Sequence, residues 1–305
     1  MTRIVSLLPS ATEIVHALGM GECQIGRSHS CDFPVSVQSL PVCTEPKFAV
    51  TGNSREIDTR VKETLRSAVS VYRVFEDVVE ELQPTHIVTQ SQCDVCAVSL
   101  KEVEIAVAEY ISSSPTLLSL EAQSLDEVWN DIRLVAEGLD RSDMGSDLIG
   151  TLTARIDRIS ERALAVGSKP SVVCLEWLEP LIGAGNWVPD LVELAGGQDL
   201  LGDPGRHSGY IKWADVVEKD PDIIVLMPCG FDMKKTVEES YWLTERPEWA
   251  SLKAVRDRRV YVTDGDQYFN RPGPRLVESL QILAEIFHPG LFTAVFEGSA
   301  WRRMR

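Results

Sequence analysis

Apolar runs of strand length recur along the chain at Ile4 to Leu8, His86 to Thr89, Thr116 to Leu120, Ser171 to Leu175, Ile223 to Leu226 and Val260 to Val262. Between them lie stretches with helical period or helix-start residues, and this alternation predicts α/β lobes built on largely parallel sheets. Two stretches share one layout. A helix over Val74 to Leu82 leads through Gln83-Pro84-Thr85 to the strand at His86, and a helix over Trp213 to Lys219 leads through Asp220-Pro221-Asp222 to the strand at Ile223. Proline ends each helix because it has no amide hydrogen and pushes the residue before it out of the helical region.

Helical periods over Leu125 to Leu139 and Met144 to Val166 separate the two sets of strands, with the capping residues Asp140-Arg141-Ser142-Asp143 between them. The second helix should run roughly 34 Å at 1.5 Å per residue. Leu148, Leu152, Ile156 and Ile159 form one stripe for docking, which leaves Arg155, Asp157, Arg158, Glu161 and Arg162 to water. The expected organisation is an N-terminal α/β lobe at 1–120, linker helices at 121–168 that include one long rigid helix, a C-terminal α/β lobe at 169–290 and a tail at 291–305. In the tail Arg302, Arg303 and Arg305 read as a solvated end.

Composition narrows the function classes. With 44% hydrophobic residues in 305, the chain can bury a core without disulfides. Asp plus Glu number 46 against 30 Lys plus Arg, a net charge of −16, and a surface of that sign repels nucleic acid and anionic lipid. No apolar run approaches the ~18 to 20 residues of a membrane span, and no signal-peptide pattern opens the sequence. The expectation is a cytoplasmic protein, or a periplasmic one if the true start lies upstream of Met1. Seven cysteines, an odd number, fit reduced thiols better than a disulfide framework.

In parallel sheets ligands bind beyond the carboxyl ends of strands, so the loops after the strands hold the candidate chemistry. After the strand at His86 stands Gln90-Ser91-Gln92-Cys93-Asp94-Val95-Cys96. A single Cys-x-x-Cys is half of a tetrahedral zinc site, and at the start of a helix it also suits redox chemistry; two small residues shaping a tight loop read equally from it. Gln92, Cys93 and Cys96 are candidate ligand contacts, and Cys93, Cys96 and His29 are candidate metal ligands. Cys31, Cys43 and Cys229 also fall near strand ends, and Glu45 follows Cys43 closely. Convergence of these thiols on one cleft is an expectation, since soft sulphur ligands suit zinc, iron or copper.

A second cluster runs from Asp264 to Arg275, where Tyr268, Phe269 and Arg271 can present flat faces and a guanidinium to an anionic or conjugated ligand. Trp177, Trp187 and Tyr210 add aromatic surface for a broad apolar molecule. Dinucleotide fingerprints, phosphate loops and nucleophile elbows are missing, and the rings together suggest a cleft for binding a broad apolar molecule. The alternative is a cytosolic metal-binding protein or thiol enzyme that uses the Cys93/Cys96 loop.

The segment Arg3 to Glu13, the stretch Gly26 to Pro34, the helix-Pro-strand unit ending at Val88, the long linker helix, Val192 to Gly197 and the Asp220 to Val225 unit together resemble the vitamin B12-binding and ferric-siderophore-binding receptors of ATP-driven importers. The resemblance implies two lobes of class III periplasmic-binding-protein type joined by one long rigid helix, with a corrinoid such as cobalamin, another tetrapyrrole or a metal chelate bound in the cleft between them. It passes the ligand-binding role to Tyr268, Phe269 and Arg271, and it places first-lobe contacts around His29, Cys31 and Glu45. Those relatives dock on a membrane permease through one acidic residue per lobe. Asp77 matches in the first lobe, whereas the second-lobe position is Ala214 with Asp215 beside it, so permease docking is not expected.

Overall fold

A computed structural model of the protein describes residues 1–68, 70–91 and 100–304. Packing divides it into two compact units: residues 1–52, 56–122 and 126–151 form one, and residues 53–55, 123–125 and 152–305 form the other.

The first unit starts with β1 (Ile4–Ser6), α1 (Pro9–Ala17), β2 (Gln24–Arg27) and β3 (Thr44–Pro46). It continues through α2 (Ser54–Ser67), β4 (Tyr72–Val74), α3 (Glu76–Leu82), β5 (His86–Gln90), α4 (Leu100–Tyr110), β6 (Thr116–Leu120) and α5 (Leu125–Gly138). Pro9 opens α1 at a position where the missing amide hydrogen costs nothing. The sheet is parallel throughout, in the order β2-β1-β5-β6. Val5, Leu7, Val79, Ile87, Val103 and Ile111 share its core. Val74, expected to begin a helix, instead pairs with Thr44 in the antiparallel ribbon of β3 and β4, and the helix starts at Glu76. The partner strand outweighs the helical period of a short stretch.

The long helix α6 (Ser142–Leu164) crosses the division between Thr151 and Leu152. In the second unit its Leu152, Ile156 and Ala163 are buried. That unit then runs through β7 (Ser171–Leu178), β8 (Leu181–Gly183), β9 (Gly185–Asn186), α7 (Val188–Leu194), β10 (Gln198–Asp199), β11 (Asp203–Pro204), α8 (Trp213–Lys219) and β12 (Ile223–Leu226). It closes with α9 (Met233–Glu239), α10 (Tyr241–Thr244), α11 (Lys253–Arg256), β13 (Val260–Thr263), α12 (Leu276–Phe287) and β14 (Trp301–Arg303). The main sheet has the order β10-β7-β12-β13-β14, parallel except for β14, and β8 folds back on β7. The end of the chain is therefore an edge strand on β13 and not a loose tail, although Arg302 and Arg303 are exposed.

The repeated helix-Pro-strand unit is real down to its backbone. Gln83 and Asp220 each end a helix in the left-handed conformation, with φ of 45° and 38°, and each precedes a proline and a central strand. In both sheets the chain first adds a strand on one side and then crosses to the other. This puts the switch points between β1 and β5 and between β7 and β12, where open α/β sheets bind ligands.

Candidate functional site

At the switch point of the first unit, β1 passes into α1 through a buried polar knot. Thr12 Oγ1 lies 2.9 Å from Ser6 Oγ and 3.1 Å from Cys31 Sγ, and Gln24 Nε2 donates to it at 3.2 Å. Cys31 is only 1% exposed, so its thiol belongs to this knot and offers no surface to a ligand, which corrects its reading as a contact residue. Cys43 is buried as well, and burial pushes its thiol up to about 12, the state of an inert, protonated sulphur.

His29 sits on the exposed side of the knot. Its amide donates to Thr44 Oγ1 at 3.2 Å, its Nδ1 lies 2.9 Å from the same hydroxyl, and its ring packs 5.1 Å from that of Tyr72. Burial lowers its pKa, the Arg27 guanidinium lowers it further and Glu45 opposes them, so a neutral imidazole is favoured. Glu45 forms an ion pair with Arg73 across the β3–β4 ribbon. Among the described residues no three His, Cys, Asp or Glu side chains come together as a metal site. Gln92, Cys93 and Cys96 lie outside the described residues.

The second unit gathers aromatic rings at its switch point. Trp177, at the end of β7, packs on Phe231, just beyond β12, with ring centroids 4.9 Å apart. The Trp177 indole nitrogen donates to Ser54 O at 3.2 Å, and the Lys235 ammonium lies 5.5 Å over the other ring of the pair. Ser54 is itself held by Glu239, whose buried carboxylate accepts from the Ser54 amide at 2.9 Å and hydroxyl at 2.8 Å. It also accepts from Lys235 at 2.8 Å and the Trp242 indole at 3.1 Å. Burial works against ionisation of Glu239, but these donors together outweigh it and its pKa is lowered.

Beside this network Glu179 bridges two guanidinium groups, Arg55 and Arg246, each at 3.1 Å. Arg55 also lies 4.4 Å over the Trp242 ring. Of these residues only Trp177 stood out from the sequence. Arg55, Glu179, Lys235, Glu239 and Trp242 sit in ordinary polar surroundings along the chain and meet only through folding.

The third strand end, after β13, is a π-helical turn over Gly265–Phe269. Gly265 is required there, since a Cβ would stand within 2.4 Å of Pro228 O. Asn270 Nδ2 ties the turn to Met227 O at 3.2 Å and to Gly265 O. Trp187, 4% exposed, donates its indole hydrogen to Phe269 O at 2.9 Å, and Phe269 has no exposed surface. Both rings are core residues that hold the turn from behind, a correction to their expected role as ligand platforms. Arg271 is 4% exposed, and its guanidinium forms an ion pair with Asp266 at 3.0 Å. Tyr268 is half-buried, capped by Arg275 at 5.4 Å over its ring, and Tyr210 is 63% exposed. Cys229 is half-buried at the end of β12 and its amide donates to Glu176 O.

The sequence profile of the periplasmic binding protein family matches residues 4–267, and the chain belongs to that family. It is a non-catalytic solute-binding protein, and its α/β fold is that of class III periplasmic binding proteins. Among its relatives is YvrC of Bacillus subtilis (strain 168), an uncharacterized ABC transporter substrate-binding lipoprotein. It is 24% identical over 298 residues, which cover 95% of this chain and 81% of that protein. The vitamin B12-binding protein of Vibrio cholerae serotype O1 is 21% identical over 283 residues, 92% of this chain and 86% of that protein. Among solved structures, the periplasmic heme-binding protein RhuT of Roseiflexus sp. RS-1 matches with a TM-score of 0.69 at 24% identity, covering 95% of this chain and 99% of that one.

Proposed function

We propose that the solute is a planar metal macrocycle, a corrinoid such as cobalamin or a related tetrapyrrole, held at the carboxyl ends of the strands of the second unit. The observation that carries this reading is the Trp177–Phe231 pair at the switch point between β7 and β12. A partly exposed indole backed by a buried phenyl ring gives a rigid, flat apolar surface, which suits a macrocycle and gains from offset stacking. The named ligands of two relatives, vitamin B12 and heme, support the same class. Arg55, exposed beside Trp242, supplies the cation for a peripheral carboxylate or phosphate of such a ligand. Delivery to an ATP-driven importer belongs to this proposal through the family. Exposed Asp77 in the first turn of α3 suits such docking, whereas Asp215 accepts from the Lys212 amide in the cap of α8.

Titration with cyanocobalamin and with haemin, followed through their visible bands and through quenching of tryptophan emission, tests the reading. Saturable binding is expected for one of the two, weakened at least about tenfold by Trp177→Ala, as for loss of a stacked, desolvated anchor. No spectral change with either ligand would sink it.

A further inference from the structure

The arginines of α6 that the helical pattern assigned to solvent are not dispersed in it. Arg155, Arg158 and Arg162 line one pocket of about 330 Å³, at the lower end of the roughly 300 to 1,000 Å³ of small-molecule sites. Spaced three and four residues apart, they stand on one face of the helix, and Phe292, Gln281 and Thr293 complete the lining. Asp157 and Glu161 of the same helix do not line it. In a chain with a net charge of −16, three guanidinium groups around one hollow make a local field opposite to that of the molecule.

Two of the three are held in place. Arg155 is fixed by Glu278 at 3.0 Å, and Arg162 donates to Leu291 O at 2.9 Å while lying 4.8 Å over the Phe292 ring. Arg158 is exposed and has no ion-pair partner among the described residues. Two carboxylates stand by the pocket: Glu278 pairs with Arg155, and Glu285 accepts from the Gln281 side-chain amide at 3.3 Å as well as from the Val295 and Phe296 amides and the Trp301 indole. Fixed guanidinium forks bind tetrahedral oxyanions in a bidentate way that lysines do not match.

We propose that this pocket is a second binding site, independent of the macrocycle reading, for a phosphate-bearing ligand with two or more negative charges. The phosphate can belong to a free diphosphate or to a phospholipid headgroup, and the hydroxyl of Thr293 adds a donor beside the guanidinium groups.

The test is calorimetric titration of the full chain with sodium pyrophosphate at low salt, with co-sedimentation on phosphatidylcholine vesicles with and without phosphatidylglycerol as the second arm. Arg158→Gln removes a side chain without partners and leaves the fold intact; Arg158→Gln/Arg162→Gln removes two cations, with circular dichroism as the control. Binding of pyrophosphate that weakens about tenfold in the single variant and fades as salt rises supports a free phosphate ligand. Binding confined to the anionic vesicles and lost in the same variant supports a headgroup. No binding in either arm, or binding that Arg158→Gln leaves unchanged, overturns the proposal.

Discussion

The rings of Trp177 and Phe231 lie 4.9 Å apart, tilted by 46°, although Trp177 belongs to β7 and Phe231 to the loop after β12. The parallel pairing of β7 with β12 brings them together: Leu226, the last residue of β12, stands beside Leu175, and β7 runs on past that level through Trp177. An aromatic surface thus arises at the switch point from β7 and the loop after β12, with Lys235 over the Phe231 ring.

Phe231→Leu should therefore separate stability from binding. The volume change is small and should cost under about 1.5 kcal/mol, while the aromatic contact with Trp177 is lost. Urea unfolding is expected to shift slightly, and macrocycle affinity to fall severalfold. Unfolding of the variant at room temperature would show that the ring serves the core first.

Arg271 is expected to act in the structure and not at the ligand. Its buried guanidinium is paired with Asp266, which is partly exposed, so Arg271→Gln removes a charged hydrogen bond from a buried position and should cost about 1 to 3 kcal/mol. Thermal melting measures this. A variant that melts like the wild type but binds its ligand far more weakly would return Arg271 to the site.

Gly265→Ala should destabilise the second unit by about 1 to 3 kcal/mol, because the new methyl group meets Pro228 O and the π-helical turn must shift. Equilibrium unfolding reads the loss directly.

Asp131 gives the first unit a pH dependence of defined sign. Burial raises its carboxyl to about 6, against the pull of the Glu121 and Ala122 amides that donate to it. The folded state then binds a proton that the unfolded chain has already released, so this residue's contribution to stability falls as pH rises from about 4 to 6. From 3.8 to about 6 is a little over two units, so the stability of the wild type relative to Asp131→Asn should drop by up to about 3 kcal/mol between pH 4 and pH 7. Chemical denaturation of both proteins at several pH values provides the comparison, and parallel pH profiles would contradict it.

Glu285 ties the last segment of the chain to α12 through the Val295 and Phe296 amides and the Trp301 indole. Glu285→Ala takes the acceptor from these three donors and from the Gln281 side-chain amide, and should expose residues 291–304 to proteolysis at protease levels the wild type withstands.

Continuous apolar runs marked six strands of the two sheets, because strands buried along most of their length, such as β1, β7, β12 and β13, need such runs. The two helix-Pro-strand units were equally legible, since proline acts through its own bonds and needs no neighbour. Val74 was misjudged because its strand exists only where Thr44 lies beside it. The rings of Trp187 and Phe269 look like ligand platforms in a list of aromatics, and only packing shows that they are turned into the core.

Local pattern and composition by themselves determined α/β lobes on parallel sheets with candidate chemistry at the ends of the strands, and the binding-protein type came from the family resemblance. Which side chains reach those ends was decided by tertiary structure alone. Glu239 anchors Ser54, Glu179 joins Arg55 to Arg246, and three arginines of one helix meet Phe292, all through contacts between distant residues. Such contacts depend on burial and distance, and neither quantity is a property of neighbours along the chain.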